Sequence, residues 1–246
     1  AGGNAVNHMH KLGIKDVDFM VCNTDQQALD ISPVELKIRL GEDGLGAGND
    51  PAMGRRAAIM SLDMVKQTFE NFATKMIFIT AGMGGGTGTG ASPVIAKLAR
   101  EMGILTVAIV TSPLKIEGQI RYKQAINGIE ELKNCVDSLL VINNDNIMAM
   151  GGRLTVDEAF SLADDVLASA AKGIAEIITI KSPRTNIDFA DVSKVMTNSG
   201  RTHMGVGRAS GEDRAETAAR NSLRSPLLDH NSIRGAKNIL LNISCN

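Results

Sequence analysis

Gly82-Met83-Gly84-Gly85-Gly86-Thr87-Gly88-Thr89-Gly90 places six glycines in nine positions, between two segments that give the run an address. Before it, Met76-Ile77-Phe78-Ile79-Thr80 is short, apolar and β-prone, and predicts a buried strand. After it, Ser92 as N-cap and Pro93 at the first helical position introduce a helix over Val94–Glu101. Strand, glycine loop and helix in that order make an anion nest. Glycines let successive amides turn inward at positive φ, and the helix N-terminus adds free N–H groups and partial positive charge. The usual anion is a phosphate.

Two commoner phosphate loops were weighed against it. A Walker loop requires Gly-Lys-Ser/Thr, and the chain contains no Gly-Lys dipeptide. Gly86-Thr87-Gly88-Thr89-Gly90-Ala91 fits the looser Rossmann fingerprint, which would make the chain a dinucleotide-binding oxidoreductase. That motif needs an acid at the tip of the next strand. Here Leu105–Val110 runs into Thr111-Ser112-Pro113 with none. A flexible linker would not stand between a buried strand and a capped helix.

Three further pairs have spacing that permits chemistry. Glu117 and Arg121 stand four apart; the plain reading of that spacing is a salt bridge on a helix face. Phe160 and Asp164, also four apart, share a face, with core packing the plain reading of the ring. Asp188 and Asp191, three apart, could polarise a water together or simply serve a helix macrodipole. The four histidines have no partners at metal spacing, and Asp165 reads as a solvated residue.

Alternating strands and helices predict an α/β fold, a parallel sheet with helices on both faces. Strands are expected at Phe19–Cys22, Met76–Ile79, Leu105–Val110 and Leu139–Ile142, with a strand-like segment at Asn238–Ile243. Helices are expected at Ala5–Leu12, Met53–Phe72, Val94–Glu101 and Glu117–Lys133. A longer helix runs from the capping box Thr155-Val156-Asp157-Glu158 to about Ile178. Lys181-Ser182-Pro183-Arg184 marks the boundary of a second unit. With 246 residues, 43% apolar and 22% charged, the chain suits one domain and part of another. A net charge of −1 gives no footprint for nucleic acid or an anionic membrane, and no apolar run is long enough to span a bilayer. Cys22, Cys135 and Cys245 are odd in number and widely spaced, as expected of reduced thiols in a cytosol.

The glycine run resembles the phosphate loop of the tubulin superfamily, and its surroundings resemble the bacterial cell-division GTPases of the FtsZ family. Gly2-Gly3-Asn4-Ala5-Val6, Asn23-Thr24-Asp25 and Gly44-Leu45-Gly46-Ala47-Gly48 look like that family's first three nucleotide loops. Glu117-Gly118-x-x-Arg121, Asn144-Asp145, Asn186–Asp191 and Gly211-Glu212-Asp213-Arg214-Ala215 continue the series in order, so the resemblance covers essentially the whole chain.

This resemblance implies GTP and GDP as ligands, with Mg2+ carried on the triphosphate and no metal ligand assigned to the protein. The first loop (Gly2, Gly3, Asn4), Asp25 and Gly82 border the nucleotide. Amides from Gly84, Gly85, Gly86, Thr87, Gly88, Thr89 and Gly90 would cradle the α- and β-phosphates, with the hydroxyls of Thr87 and Thr89 as further donors. Ala47, Gly48 and Asn49 would reach the γ-phosphate, although Asn49 stands where alanine is usual. Glu117, Arg121 and Asn144 become ribose contacts; Asn4, Phe160 and Asp164 would choose the base, the carboxylate accepting from guanine N1–H and N2–H2. Asp188 and Asp191 become catalytic on the nucleotide of a neighbouring subunit.

The implied architecture is a GTPase domain over 1–154, a central helix and linker over 155–181, and the start of a second α+β domain over 182–246. A first strand, the rest of that domain and a partner-binding tail are expected to lie outside the chain. The implied function is head-to-tail polymerisation in the cytoplasm at the mid-cell division site. Division-ring and membrane-anchoring proteins would be met through the tail, with no direct membrane insertion. A structural filament protein that binds GTP without hydrolysing it is the reading that loss of Asp188 or Asp191 would have favoured; both are present.

Overall fold

The computed structural model describes residues 2–14, 16–146, 155–179, 188–223 and 235–243. Along the chain come α1 (Gly2–Lys11), β1 (Met20–Asn23), α2 (Gln26–Asp30), β2 (Leu36–Arg39), α3 (Pro51–Met60) and α4 (Leu62–Asn71). Next are β3 (Met76–Gly82), α5 (Gly86–Glu101), β4 (Leu105–Ser112), α6 (Gln119–Cys135) and β5 (Ser138–Asn143). The last are α7 (Val156–Thr179), α8 (Phe189–Met196), β6 (Gly200–Arg201) and α9 (Arg214–Leu223). All strand pairing is parallel, in one sheet ordered β3-β4-β5-β6 and a separate pair β1-β2. The single sheet expected from sequence is thus two, with α1 packed against both β1 and β3.

Side-chain alternation shows why helices cover both faces. From β4, Ala108 and Val110 enter the core under α3–α6, while Leu105, Val107 and Ile109 enter the core under α1 and α7. In β5, Leu139 and Val141 face the first layer, Leu140 and Ile142 the second. A parallel sheet buried on both sides is what such near-continuous apolar strands require.

Four expectations need correcting. The helix after the glycine run begins at Gly86, not after Ser92; Ser92 Oγ donates to the Gly88 carbonyl at 2.6 Å, and Pro93 lies inside the helix. Packing of α5 against α3, α6 and the sheet holds the extra turns together despite the proline. The predicted helix over Met53–Phe72 is two helices, because Ser61 turns aside to accept from the Gly41 amide at 3.0 Å. Strands β2 and β6 add to the expected set; each is short, four residues and two. Asn238–Ile243 forms no strand, and Ile239, Leu241 and Ile243 are exposed. The segment at 181–184, and with it the expected boundary, lies outside the described residues. The capping box at Thr155 forms: its amide donates to Glu158 Oε2 at 2.7 Å and its Oγ1 accepts from the Glu158 amide at 3.3 Å.

The glycines act mainly by letting backbones touch. Among residues 82–90 only Gly84 has a positive φ, at 101°, so the expected series of left-handed turns is absent. A Cβ on Gly90 would stand 2.0 Å from the Pro51 carbonyl oxygen, one on Gly54 2.3 Å from that of Gly86. Helices α3 and α5 therefore meet backbone to backbone. Gly90→Ala should lower stability by about 1–3 kcal/mol despite its better helix propensity. Gly3→Ala, whose Cβ meets nothing closer than Val21 Cγ1 at 3.8 Å, should leave the melting temperature unchanged or raise it. Thermal denaturation of the two variants checks the contrast.

Candidate nucleotide site

The loops after β1, β2, β3, β4 and β5 all open at the carboxyl edge of parallel strands, where α/β proteins form their binding crevices. At the centre is the N-terminus of α5, with Gly85 as N-cap. Helix geometry leaves the amides of Gly85, Gly86, Thr87 and Gly88 without a carbonyl one turn back. This narrows the expected cradle. The Gly84 amide donates to Thr89 Oγ1 at 2.8 Å, and Thr89 is buried, so both brace the loop. Thr87 Oγ1 is hydrogen-bonded to Thr24 Oγ1 at 2.6 Å, which ties the glycine loop to the one after β1. Gly82 ends β3, its carbonyl oxygen 2.4 Å from where a Cβ on Gly88 would stand.

Neighbouring loops are built onto this centre. Asp25 caps α2, accepting from the Gln27 amide at 2.9 Å, and bridges to Leu45. The Gly46 amide donates to the Thr24 carbonyl at 3.0 Å, so the second and third loops lie side by side. Ala47 is buried against Gly86, while Gly48 and Asn49 follow in left-handed conformation at φ 54° and 61°. Asp50 then caps α3 through the Ala52 amide at 2.9 Å. Gly2 lies against β3, its carbonyl accepting from Thr80 Oγ1 at 3.3 Å; Gly3 faces Val21, and Asn4 is exposed.

Glu117 and Arg121 form the plain salt bridge at 2.8 Å, and Glu117 Oε1 also accepts from the Leu114 amide at 2.8 Å. Arg121 is exposed and open to a further partner on its outer side. Asn144 is buried with Oδ1 making no hydrogen bond to protein; Gln124 Oε1 is the other such atom among the described residues. Buried polar oxygens of this kind are uncommon and mark a place where a ligand donor fits.

On α7, Phe160 is exposed, which rules out the core-packing reading of its ring. Burial pushes the Asp164 carboxyl up to about 6, with the adjacent Asp165 charge raising it and His8 opposing. Asp165 is not merely solvated: its Oδ1 receives His8 Nε2 at 2.8 Å, joining α7 to α1. Cys22 is half-buried, its thiol pushed up to about 12 by burial, and Cys135, also half-buried, is raised by the same cause, which leaves both with little thiolate.

Asp188 and Asp191 do not join this site. Asp188 is the N-cap of α8, accepting from the Asp191 amide at 2.9 Å, and Asp191 Oδ2 accepts from the Asp188 amide at 3.3 Å. The capping role weighed from sequence is therefore what the side chains do in the single chain, and both remain exposed. Phe189 beside them borders a cavity with Lys75, Gly103, Ile104, Leu105 and Asp137, at the amino edge of the strands. The two edges are separated by the length of β4, about 25 Å at roughly 3.3 Å per residue.

Sequence reasoning missed Gln124 and His8. Gln124 lies seven residues beyond Glu117 and three beyond Arg121, on the stripe those residues already defined; that periodicity was the available signal. Nothing in the sequence foretold the His8–Asp165 pair, which crosses between distant helices.

Comparison with known proteins agrees with this geometry. Residues 1–152 match the Tubulin/FtsZ family, GTPase domain, and residues 200–246 match the FtsZ family, C-terminal domain. The chain is 47% identical over 248 residues to the cell division protein FtsZ of Caulobacter vibrioides, covering 99% of this chain and 48% of that protein. It is 46% identical over 245 residues to the FtsZ of Porphyromonas gingivalis, covering 98% and 53%. An FtsZ dimer from M. jannaschii superposes with a TM-score of 0.87 at 41% identity, over 93% of this chain and 66% of that one. CetZ2 from Haloferax volcanii, at 22% identity and a TM-score of 0.74, shares the fold. The fold is that of a tubulin-like GTPase domain. The chain belongs to the Tubulin/FtsZ family, which sets aside the oxidoreductase reading, and it spans about half the length of the relatives it matches.

The raised Asp164 carboxyl has a consequence for stability. Its folded value of about 6 lies above the ordinary unfolded value of about 3.9, so between them the fold holds a proton the unfolded chain gives up. Stability from this group falls as pH rises from 4 to 6, and above 6 the cost of the buried charge is fully present. Asp164→Asn should therefore melt higher than the parent protein at pH 8, with the gap closing toward pH 4. Thermal melts across that range read it directly.

Proposed function

We propose that this chain binds GTP and GDP at the N-terminus of α5 and hydrolyses GTP only when a second copy completes the site. The observation that carries this reading is the placement of the two halves on opposite edges of one sheet. The free amides of Gly85–Gly88 support phosphate binding, each charge-assisted bond contributing about 1.5–3 kcal/mol. Ala47, Gly48 and Asn49 reach the terminal phosphate; Glu117, Arg121 and Asn144 hold the ribose; Asn4, Phe160 and Asp164 choose the base. Guanine offers a donor pair to the Asp164 carboxylate that adenine lacks.

In the completed site, Asp188 and Asp191 orient a water. A lone pair on its oxygen attacks the γ-phosphorus, the bond to the β,γ-bridging oxygen breaks with its electron pair staying on GDP, and the water's proton is released, giving GDP, phosphate and a proton. Mg2+ borne by the phosphates would neutralise the charge that develops there. Stacking copies head to tail brings an amino edge onto a carboxyl edge, and repeated, that contact makes a filament. The relatives' description as cell division proteins supports a role at the division site in the cytoplasm. Among the described residues no helix is long and apolar enough to cross a membrane, which fits attachment through division-ring and anchoring partners.

Binding assays with GTP, ATP and NAD in parallel test the ligand: GTP should bind at least about 10⁴-fold tighter than ATP, the discrimination open to a site built on buried hydrogen bonds. Equal binding would remove Asp164 from base selection. Turnover per subunit in the intact protein should rise steeply with concentration and then plateau; a rate independent of dilution would place a complete site within one chain. Asp188→Asn and Asp191→Asn separate chemistry from structure. Asparagine caps a helix about as well as aspartate, so stability should change by less than about 1 kcal/mol while hydrolysis slows strongly at unchanged GTP affinity. Mixed with unmodified protein, the variants should copolymerise and lower total turnover. Normal hydrolysis in both would leave these residues as caps and nothing more.

A further inference from the structure

The left-handed pair Gly48–Asn49 carries the loop that, on the reading above, meets the terminal phosphate. A non-glycine residue at φ 61° persists when its surroundings fix it. One such restraint comes from α6: Gln124 Nε2 donates to the Asn49 carbonyl at 3.3 Å. The same face of α6 holds the rest of the assembly. One turn on, Gly128 admits the Thr89 methyl, which would stand 2.3 Å from a Cβ there, and Glu131 pairs with Arg55 of α3. One turn back, Arg121 is paired with Glu117, and its carbonyl oxygen lies 2.8 Å from where a Cβ on Gly84 would stand. Helix α6 thus touches the ribose pair, the glycine loop and the terminal-phosphate loop along one stripe.

Gln124 is the member of that stripe with unfinished hydrogen bonding. Its Oε1 is buried and accepts from nothing in the protein. Asn49 Oδ1 lies 4.0 Å from where a Cβ on Gly85 would stand, so the Asn49 side chain faces the helix N-terminus that Gln124 backs. We propose that Gln124 is a positioning residue for the terminal phosphate: it fixes the Asn49 turn, and so makes the site sensitive to whether a third phosphate is present. The inference rests on the GTP reading of this site and adds to it a residue that lends the pocket its distinction between triphosphate and diphosphate. Gln124 acts through Asn49 and is not a catalytic group.

The test is the pair of dissociation constants for GTP and GDP, measured on the intact protein and on Gln124→Met. Methionine keeps the length of the side chain and removes its donor to the exposed Asn49 carbonyl. The constant for GTP should rise about fivefold more than that for GDP, the scale of one ordinary hydrogen bond. A residue that merely supports the fold would change both constants by the same factor, or the melting temperature alone. Gln124→Glu serves if the methionine variant does not fold: it retains an acceptor, loses the donor and adds a charge that opposes the extra phosphate, so it should shift the ratio in the same direction and further. Equal changes for the two nucleotides, no change, or a larger change for GDP overturns the role of Gln124 while leaving GTP binding standing. An unmodified protein that binds neither nucleotide overturns both this role and the reading beneath it.

Discussion

The contact between α3 and α5 is the constraint from which the site follows. With glycine at 54, 86 and 90, two helices pack at backbone distance, and a methyl group at any of these positions would collide with a carbonyl oxygen or an amide. That contact fixes where α5 begins. Because α3 comes in so close, Ala47 and Asp50 are set against Gly86, and the loop leading into α3 lies beside the open end of α5. The amides of Gly85–Gly88 therefore face a crevice already walled by other loops. Preorganised donors of this sort need no rearrangement to meet an anion.

The sheet accounts for the second property, the separation of the binding half from the carboxylates of α8. Parallel strands put all their carboxyl ends on one edge, so every loop expected to touch nucleotide gathers there. The connection from α7 to β6 brings α8 to the other edge, where the Asp137 side chain accepts from the Thr106 amide at 3.0 Å and its carbonyl accepts from the Gly200 amide at 2.9 Å. A rigid sheet buried on both faces cannot fold these edges together. Chemistry that needs both has to be shared between molecules.

Much of this was legible in the sequence, for identifiable reasons. The strands over 76–79, 105–110 and 139–142 are long apolar runs with few competing signals, and each appears in the structure, extended by one to three residues at one or both ends. The capping box at Thr155 also appears as read. What sequence misplaced were effects of tertiary contact. Ser92 and Pro93 form a good helix start by local rules, yet packing on α3 extends α5 back through the glycines. Ser61 breaks the continuous helical pattern over Met53–Phe72 because its hydroxyl accepts from the amide of Gly41, two residues after β2. The loops do converge on the glycine run, but its glycines serve close approach rather than left-handed turns.

Asp164 and the pair Asp188–Asp191 show opposite relations between stability and function. Half-buried Asp164 sits where burial disfavours its charge and pushes its carboxyl up, and no described side chain donates to it in compensation. A carboxylate left in that condition gains most from a ligand that supplies donors, since binding then relieves the desolvation the fold imposes. The α8 aspartates are stabilising as they stand, each satisfying the other's amide across the first turn. Each of those contacts engages one carboxylate oxygen, and both side chains are exposed. A carboxylate whose orientation is fixed by a cap is already aimed before any neighbour arrives. Capping therefore does not conflict with the catalytic role proposed for the same two residues: the cap sets the direction, and a second molecule decides whether there is anything in that direction to act on.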